Sequence, residues 1–352
     1  MTRFLRTARP IRWLAIGRAS GGTGGRPPGW QQPYAFALVL LVVLLIANII
    51  AQPAFANPSN WPVTLAIFAP FAIAAFASTP AIMAGGGGID ISIGPLMTVV
   101  NMVIVVDLLP HGLGSPFIVV PICLAAGAGV GAVNGLLVTV LRFQPVVATL
   151  CMNFILTGLA TQIEGNATPQ GSTGWTNDLA SSFGPVPGGL ISIAVVLLIW
   201  FGLSRTAYLR NLYATGGDDA AAFSAGVDVT RVRILAYATG GLFAGLGGLA
   251  LMAVLRSGEA SNATMYTLVA LAAVALGGTA FSGKRGSLIG TLCGAGCMYL
   301  ITNVLSAARV PDTWTGAIYG ALLLGSVIFG AGLANSTQAL PAQTQPAQGG
   351  AT

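Results

Sequence analysis

Ten apolar runs, each close to the length of a membrane-crossing helix, constrain this chain more than any other feature. They fall at about 36–51, 62–78, 91–109, 117–141, 145–163, 188–204, 234–255, 264–281, 287–306 and 313–331. A helix needs about twenty apolar residues to cross a hydrocarbon core of about 30 Å. Membrane β-barrels use short alternating segments instead, and these runs do not alternate. Composition agrees, because 55% of the 352 residues are hydrophobic and only 7% are charged, against about a quarter charged in a soluble domain. The expected class is therefore all-α, a polytopic transmembrane helix bundle of about ten spans.

Charge placement sets the topology. Thirteen of the fifteen Lys and Arg fall in the N-terminal tail, at Arg142, in 205–233 or in 282–286, leaving only Arg256 and Arg309 on the opposite side. Basic residues stay cytoplasmic, so an even number of spans with both termini inside is expected. Residues 1–35 form an Arg-rich cytoplasmic tail, 36–331 the transmembrane domain with a cytoplasmic loop at 205–233, and 332–352 a disordered Pro/Gln/Ala-rich tail. The net charge of +6 does not mark a nucleic-acid binder, since no basic patch interleaved with aromatics exists. The stretch "AQPAFA" (51–56) resembles a cleavage site, but the basic region before it is too long for a signal peptide. An uncleaved first span is expected.

Three motifs lose to simpler readings. "GTAFSGKR" (278–285) satisfies G-x-x-x-x-G-K, yet Arg285 stands where a magnesium-binding Ser or Thr is needed, and an apolar helix precedes it. "GAGVGA" (127–132) imitates a dinucleotide fingerprint inside a span. Cys293 and Cys297 share a helix face without a histidine or acid to complete a metal site. Glycines spaced four apart (Gly127, Gly131, Gly135; Gly286, Gly290, Gly294; Gly240 with Ala244 and Gly248) read as rows that let helices approach closely.

The polar interruption "MAGGGGIDISIGPLM" (83–97) is the sharpest anomaly. Four glycines permit unusual dihedrals, and broken backbone at membrane depth must be satisfied by protein or by a water-filled cavity. Asp90, with Ser92 and Gly94 nearby, can cap the restarting helix; alternatively it faces the translocation path. "GIDIS" (88–92) and "SGEAS" (257–261) both read acid–any–Ser before an apolar run, five spans apart. That recurrence points to an inverted internal repeat, in which broken helices flank a midplane site. Asp90, Ser92, Asn101, Asn134, Asn153 and Glu259 are the candidate path residues, with interhelical hydrogen bonding as the competing role for the amides.

In the inner segment, "LYATGGDDAAAFSAGVDVTRVRI" (212–234) places Asp218 or Asp219 to cap a short helix through Ala220, Ala221 and Ala222 that ends by Gly226. A capped helix between two spans is a candidate for docking a partner. This stretch resembles the cytoplasmic coupling loop of bacterial ATP-binding-cassette (ABC) importer permeases of the ribose, or simple-sugar, type. "GGIDISIG" (87–94), "NGLLVTVLRFQPVVATL" (134–150) and "LGGTAFSGKRGSLIGTL" (276–292) match the same family in order, so the likeness covers about 35–331.

The resemblance implies a permease of the inner membrane that translocates a monosaccharide or similar solute. It implies a second permease copy, identical or paralogous, two ATPase subunits that hold ATP and magnesium, and an external solute-binding protein. No cofactor on this chain and no enzymatic chemistry are expected. Coupling to the ATPases would fall on Gly216, Gly217, Asp218, Asp219, Ala220, Ala221, Ala222 and Gly226. Val146 stands where the family writes an aromatic, and "CMNFIL" (151–156) leans toward the related nucleoside permeases. An ion-coupled secondary transporter is the alternative from another class; it needs intramembrane acids or histidines, and these are few.

Overall fold

The computed structural model describes residues 35–165, 170–283, 286–311, 314 and 316–325. The Arg-rich tail, the C-terminal tail and the Lys284–Arg285 end of the nucleotide-like motif lie outside the described residues. A helix stands at every one of the ten expected runs. They are α1 (Ala35–Ala51), α2 (Trp61–Met83), α3 (Ile93–Met102), α4 (Pro116–Thr139), α5 (Pro145–Glu164), then α7 (Gly188–Ser204), α10 (Val229–Leu255), α11 (Ala263–Leu276), α12 (Leu288–Ala307) and α13 (Gly316–Gly325). The chain is an all-α polytopic membrane protein.

The runs are less uniform than their hydropathy suggests. Among the described residues, five helices are long and apolar enough to cross a membrane alone: α2, α4, α5, α10 and α12. A sixth crossing counts α7 together with α8 (Ala207–Gly217), which meet at a bend of 83°. α3 ends in a π-helical turn over Val103–Leu108, and α11 has only 14 residues. At 1.5 Å per residue, α11 covers about 21 Å, short of the hydrocarbon core. The apolar runs at 91–109 and 264–281 each include residues spent on irregular backbone at one end, which is why hydropathy overstated both helices.

Burial separates centre from periphery. In their most apolar windows, α2 is 83% and α10 72% buried, whereas α4 and α5 are each 22% buried. α2 and α10 pack on each other, and around them the pairings are reciprocal. α10 packs on α3 and α4, α2 packs on α11 and α12, and α3 meets α11. This exchange of equivalent partners is the packing that an internal repeat relating α2–α4 to α10–α12 produces. Close approach depends on the glycine rows: a Cβ at Gly127 would strike the carbonyl oxygen of Gly241, and one at Gly245 that of Cys123. Missing side chains thus bring α4 and α10 into backbone contact, the packing on which association in lipid depends.

Two polar connections are built elements. The segment after α5 contains α6 (Gly174–Leu179) and a hairpin of β1 (Ser182–Phe183) and β2 (Val186–Pro187). A reciprocal capping box between Thr173 and Thr176 starts α6. The segment after α7 holds α8 and then α9 (Asp219–Ser224).

Candidate functional site

The four glycines end α2 as the break requires. Gly85, Gly86 and Gly87 take φ of 71°, 63° and 73°, left-handed values that side chains disfavour. The chain then runs through Ile89–Ile91 as irregular backbone whose polar groups are held by side chains from two other helices, α5 and α11. Thr149 of α5 donates to the Ile89 carbonyl at 3.2 Å, and Asn153 of α5 to the Ile91 carbonyl at 3.0 Å. Thr267 of α11 donates to the same Ile91 carbonyl at 3.1 Å and accepts from the Gly94 amide at 3.1 Å. Freed backbone groups in a membrane interior need such partners.

Asp90 is 3% exposed. Its Oδ1 accepts from the Ser92 amide at 2.9 Å and from Ser92 Oγ at 2.7 Å. Asn134 of α4 donates to Ser92 Oγ at 2.8 Å and reaches Asp90 Oδ2 at 3.5 Å. The carboxylate thus closes a turn leading into α3 and ties that turn to α4. Asp90, Ser92, Asn134 and Asn153 come together around this one break. Asn101 and Glu259 lie elsewhere: Asn101 donates to the Ser257 carbonyl at 3.0 Å, and exposed Glu259 accepts from Ser261 Oγ at 2.6 Å. Both belong to the second break, between α10 and α11.

The segment that holds α8 and α9 reaches the first break directly. Asp218 caps α9, accepting from the amides of Ala220 at 2.9 Å and Ala221 at 3.0 Å, and Gly226 leaves the helix with φ of 84°. Gly216, near the end of α8, is pressed against two other segments. A Cβ there would strike the carbonyl oxygen of Met83 and lie 2.5 Å from that of Gly283. Gly85 would place a Cβ 3.1 Å from the Gly216 Cα, and one on Gly283 would overlap the Gly85 Cα. The end of α8, the break after α2 and the turn after α11 therefore meet backbone to backbone. Tyr213 of α8 reinforces the contact, donating to the Gly286 carbonyl at 3.0 Å.

Arg233, on the first turns of α10, completes this knot. Its side chain is 19% exposed, pairs with Asp219 of α9 at 2.6 Å and lies over Gly86, where a Cβ would collide with the guanidinium. Sequence reasoning missed Arg233, Gly283, Thr149 and Thr267. Thr267 had a legible signal, since it follows Glu259 at the spacing by which Thr98 follows Asp90. Gly283 and Arg233 meet the break only through folding, so nothing local marked them.

Comparison with known proteins agrees with this architecture. The family model described as "Branched-chain amino acid transport system / permease component" matches residues 63–327. The ribose import permease RbsC of Escherichia coli K12 is 33% identical over 317 residues, which cover 85% of this chain and 94% of that protein. RbsC of Bacillus subtilis is 32% identical over 303 residues (84% and 91%), and the fructose import permease FrcC of Rhizobium meliloti 30% over 310 (84% and 85%). No solved structure matches the chain. With the family model spanning both breaks and the α8–α9 segment between them, the chain belongs to the family of transport-system permease components.

Proposed function

We propose that this chain is the membrane-spanning permease subunit of an ABC importer for a monosaccharide or a similar small polar solute. It would sit in a bacterial cytoplasmic membrane with both termini inside, pair with a second permease, identical or paralogous, and receive solute from an external binding protein. ATP and magnesium would be held by separate ATPase subunits, this chain carrying no nucleotide site and no cofactor. The sugar class comes from the ribose and fructose import permeases to which the chain is similar.

One observation supports the coupling role above others: the backbone contact of Gly216 with Met83, Gly85 and Gly283. A push on α9 from a cytoplasmic ATPase would pass through α8 into the first break without an intervening flexible side chain. The apolar face of α9 has Phe223 73% exposed, which gives an ATPase groove an anchor. Gly216, Gly217, Asp218, Asp219, Ala220, Ala221, Ala222 and Gly226 form this coupling unit. Asp90, Ser92, Asn134 and Asn153 act on the path by fixing the shape of the break, while Asn101 and Glu259 serve the second break.

Deleting 217–222 and replacing Phe223 by Ala, one variant at a time, tests the assignment by co-purification with the ATPase subunits. Deletion should abolish the complex, and Phe223→Ala should weaken it while the permease stays monodisperse in detergent. Stoichiometric ATPase binding by the deletion variant would overturn the coupling assignment.

A further inference from the structure

A cavity of about 130 Å3 opens where the first break meets the base of α10 and the turn before α5. We propose that it is a cytoplasmic-side subsite for a neutral, polyhydroxylated solute, with Tyr237 and Arg233 as its polar contacts. The proposal rests on the import function above and names where the solute leaves.

Size comes first. One water needs about 10–15 Å3 of such space, so this cavity is roughly tenfold larger than a single-water site. Its walls combine polar and apolar character. Gly85, Gly86 and Gly88 leave the main chain bare on one side, and the half-exposed Phe143 ring supplies an apolar wall on another. Sugars suit such a pairing, since their C–H faces pack on rings while hydroxyls take hydrogen bonds at the rim.

Two buried donors then converge on the space. Tyr237 is 1% exposed, its hydroxyl has no hydrogen-bond partner among the described residues, and it lines the cavity. Arg233 also lines it, with a buried Nε that has no partner either. A buried polar group without a partner is costly, and native proteins retain few of them. Two on one cavity wall are explained by a ligand that accepts from both.

Charge decides the ligand class. Asp219 already pairs with the Arg233 guanidinium at 2.6 Å, and Tyr237 is near enough to Asp90 and Arg233 for both charges to act on it. An added anion would meet a neutralised cation and a nearby carboxylate, whereas a neutral polyol meets only donors and carbonyls. The larger cavity, about 300 Å3 between α4, α6, α7 and α10, is lined by residues such as Val120, Leu246 and Leu249. The indole of Trp175, on its wall, already donates to the Gly114 carbonyl at 2.7 Å, so that cavity offers a sugar little.

Tyr237→Phe is the discriminating variant, because it removes only the hydroxyl. A hydroxyl that merely lacks a partner can be deleted with stability unchanged or improved. A solute contact predicts wild-type thermal stability and ATPase co-purification with import slowed about three- to tenfold. A second measurement uses Phe143→Cys in a background with Cys151 and Cys293 replaced by Ser. Labelling by an impermeant maleimide in inside-out vesicles should be slowed by millimolar ribose or fructose and not by inorganic phosphate. Wild-type import by a stable Tyr237→Phe variant, or protection by phosphate alone, would overturn the subsite. A wild-type complex that imports no monosaccharide would instead overturn the functional reading on which it rests.

Discussion

The two breaks use one local device in opposite surroundings. At the first, Asp90 accepts from Ser92; at the second, Glu259 accepts from Ser261, again two residues on. Asp90 is buried and tied through Ser92 to Asn134, whereas Glu259 is exposed. The first break is gripped from α4, α5 and α11 and touched by the end of α8. The second meets the end of α5 and the segment after it instead, where the Gly171 amide donates to the Arg256 carbonyl at 3.0 Å and Glu164 accepts from the Ala260 amide at 3.3 Å. Each break also holds the other: Thr267, following the second, bonds Ile91 and Gly94 of the first, and Asn101, on the helix after the first, bonds Ser257 of the second. A repeated sequence signal therefore marks two breaks wired to each other but meeting different polar segments.

Steric substitution at the first break should have the largest effect. Gly216→Val inserts a side chain where even a Cβ overlaps the Met83 carbonyl, and overpacking of this kind costs about 1–3 kcal/mol or more. Little assembled permease should survive extraction. Gly217→Ala, next in sequence and facing open space, should keep the thermal midpoint, since Ala favours a helix over Gly. Equal behaviour of the two variants in a thermal-shift series would break the claim that Gly216 is a packing point.

Next come the two acids. Asp90→Ala strips two acceptor contacts from Ser92 and leaves Asn134 without the carboxylate behind its partner, an expected loss of about 2–3 kcal/mol. Glu259→Ala removes an exposed carboxylate and should change stability by about 0.5 kcal/mol. Comparable losses would show that burial does not separate the breaks. Thr267→Val is expected to fall between them, at about 1–2 kcal/mol, because the Gly94 amide loses its acceptor and the Ile91 carbonyl keeps Asn153. The readout is the unfolding midpoint in detergent, and a midpoint unchanged from wild type would remove Thr267 from the link between the breaks.

Much of this was legible before folding. Ten apolar runs located ten helices, the glycine quartet located the first break, and the Asp218–Asp219 pair before three alanines located α9, whose cap proved to be Asp218. The acid–any–Ser recurrence located the second break. What hydropathy hid was length, since the residues of irregular backbone beside α3 and α11 are as apolar as the helices themselves. The amides of Asn134 and Asn153 were visible as costly polar groups in apolar helices, but their partners at Ser92 and Ile91 lie far along the chain. The meeting of Gly85, Gly216 and Gly283 was hidden for the same reason. Each glycine has a local reading as a turn or helix end, and only the fold shows three segments sharing one contact.

A last pair of variants separates stability from coupling. Asp218 caps α9, and Thr173 with Thr176 caps α6. Replacing either cap, by Asp218→Ala or Thr173→Ala, should cost about 1 kcal/mol locally. α9 and α6 have six residues each, so loss of a cap frays most of either helix. Neither change touches the buried contacts of α2 with α10, and both variants should extract with near wild-type midpoints. Only the α9 cap bears on the segment assigned to the ATPase, so Asp218→Ala should lower ATPase co-purification about fivefold, the equivalent of a 1 kcal/mol cap loss. Thr173→Ala should leave it unchanged. If both variants lowered it equally, the α9 and α6 segments would not be functionally distinct, and the contact between Gly216 and the first break would be packing alone.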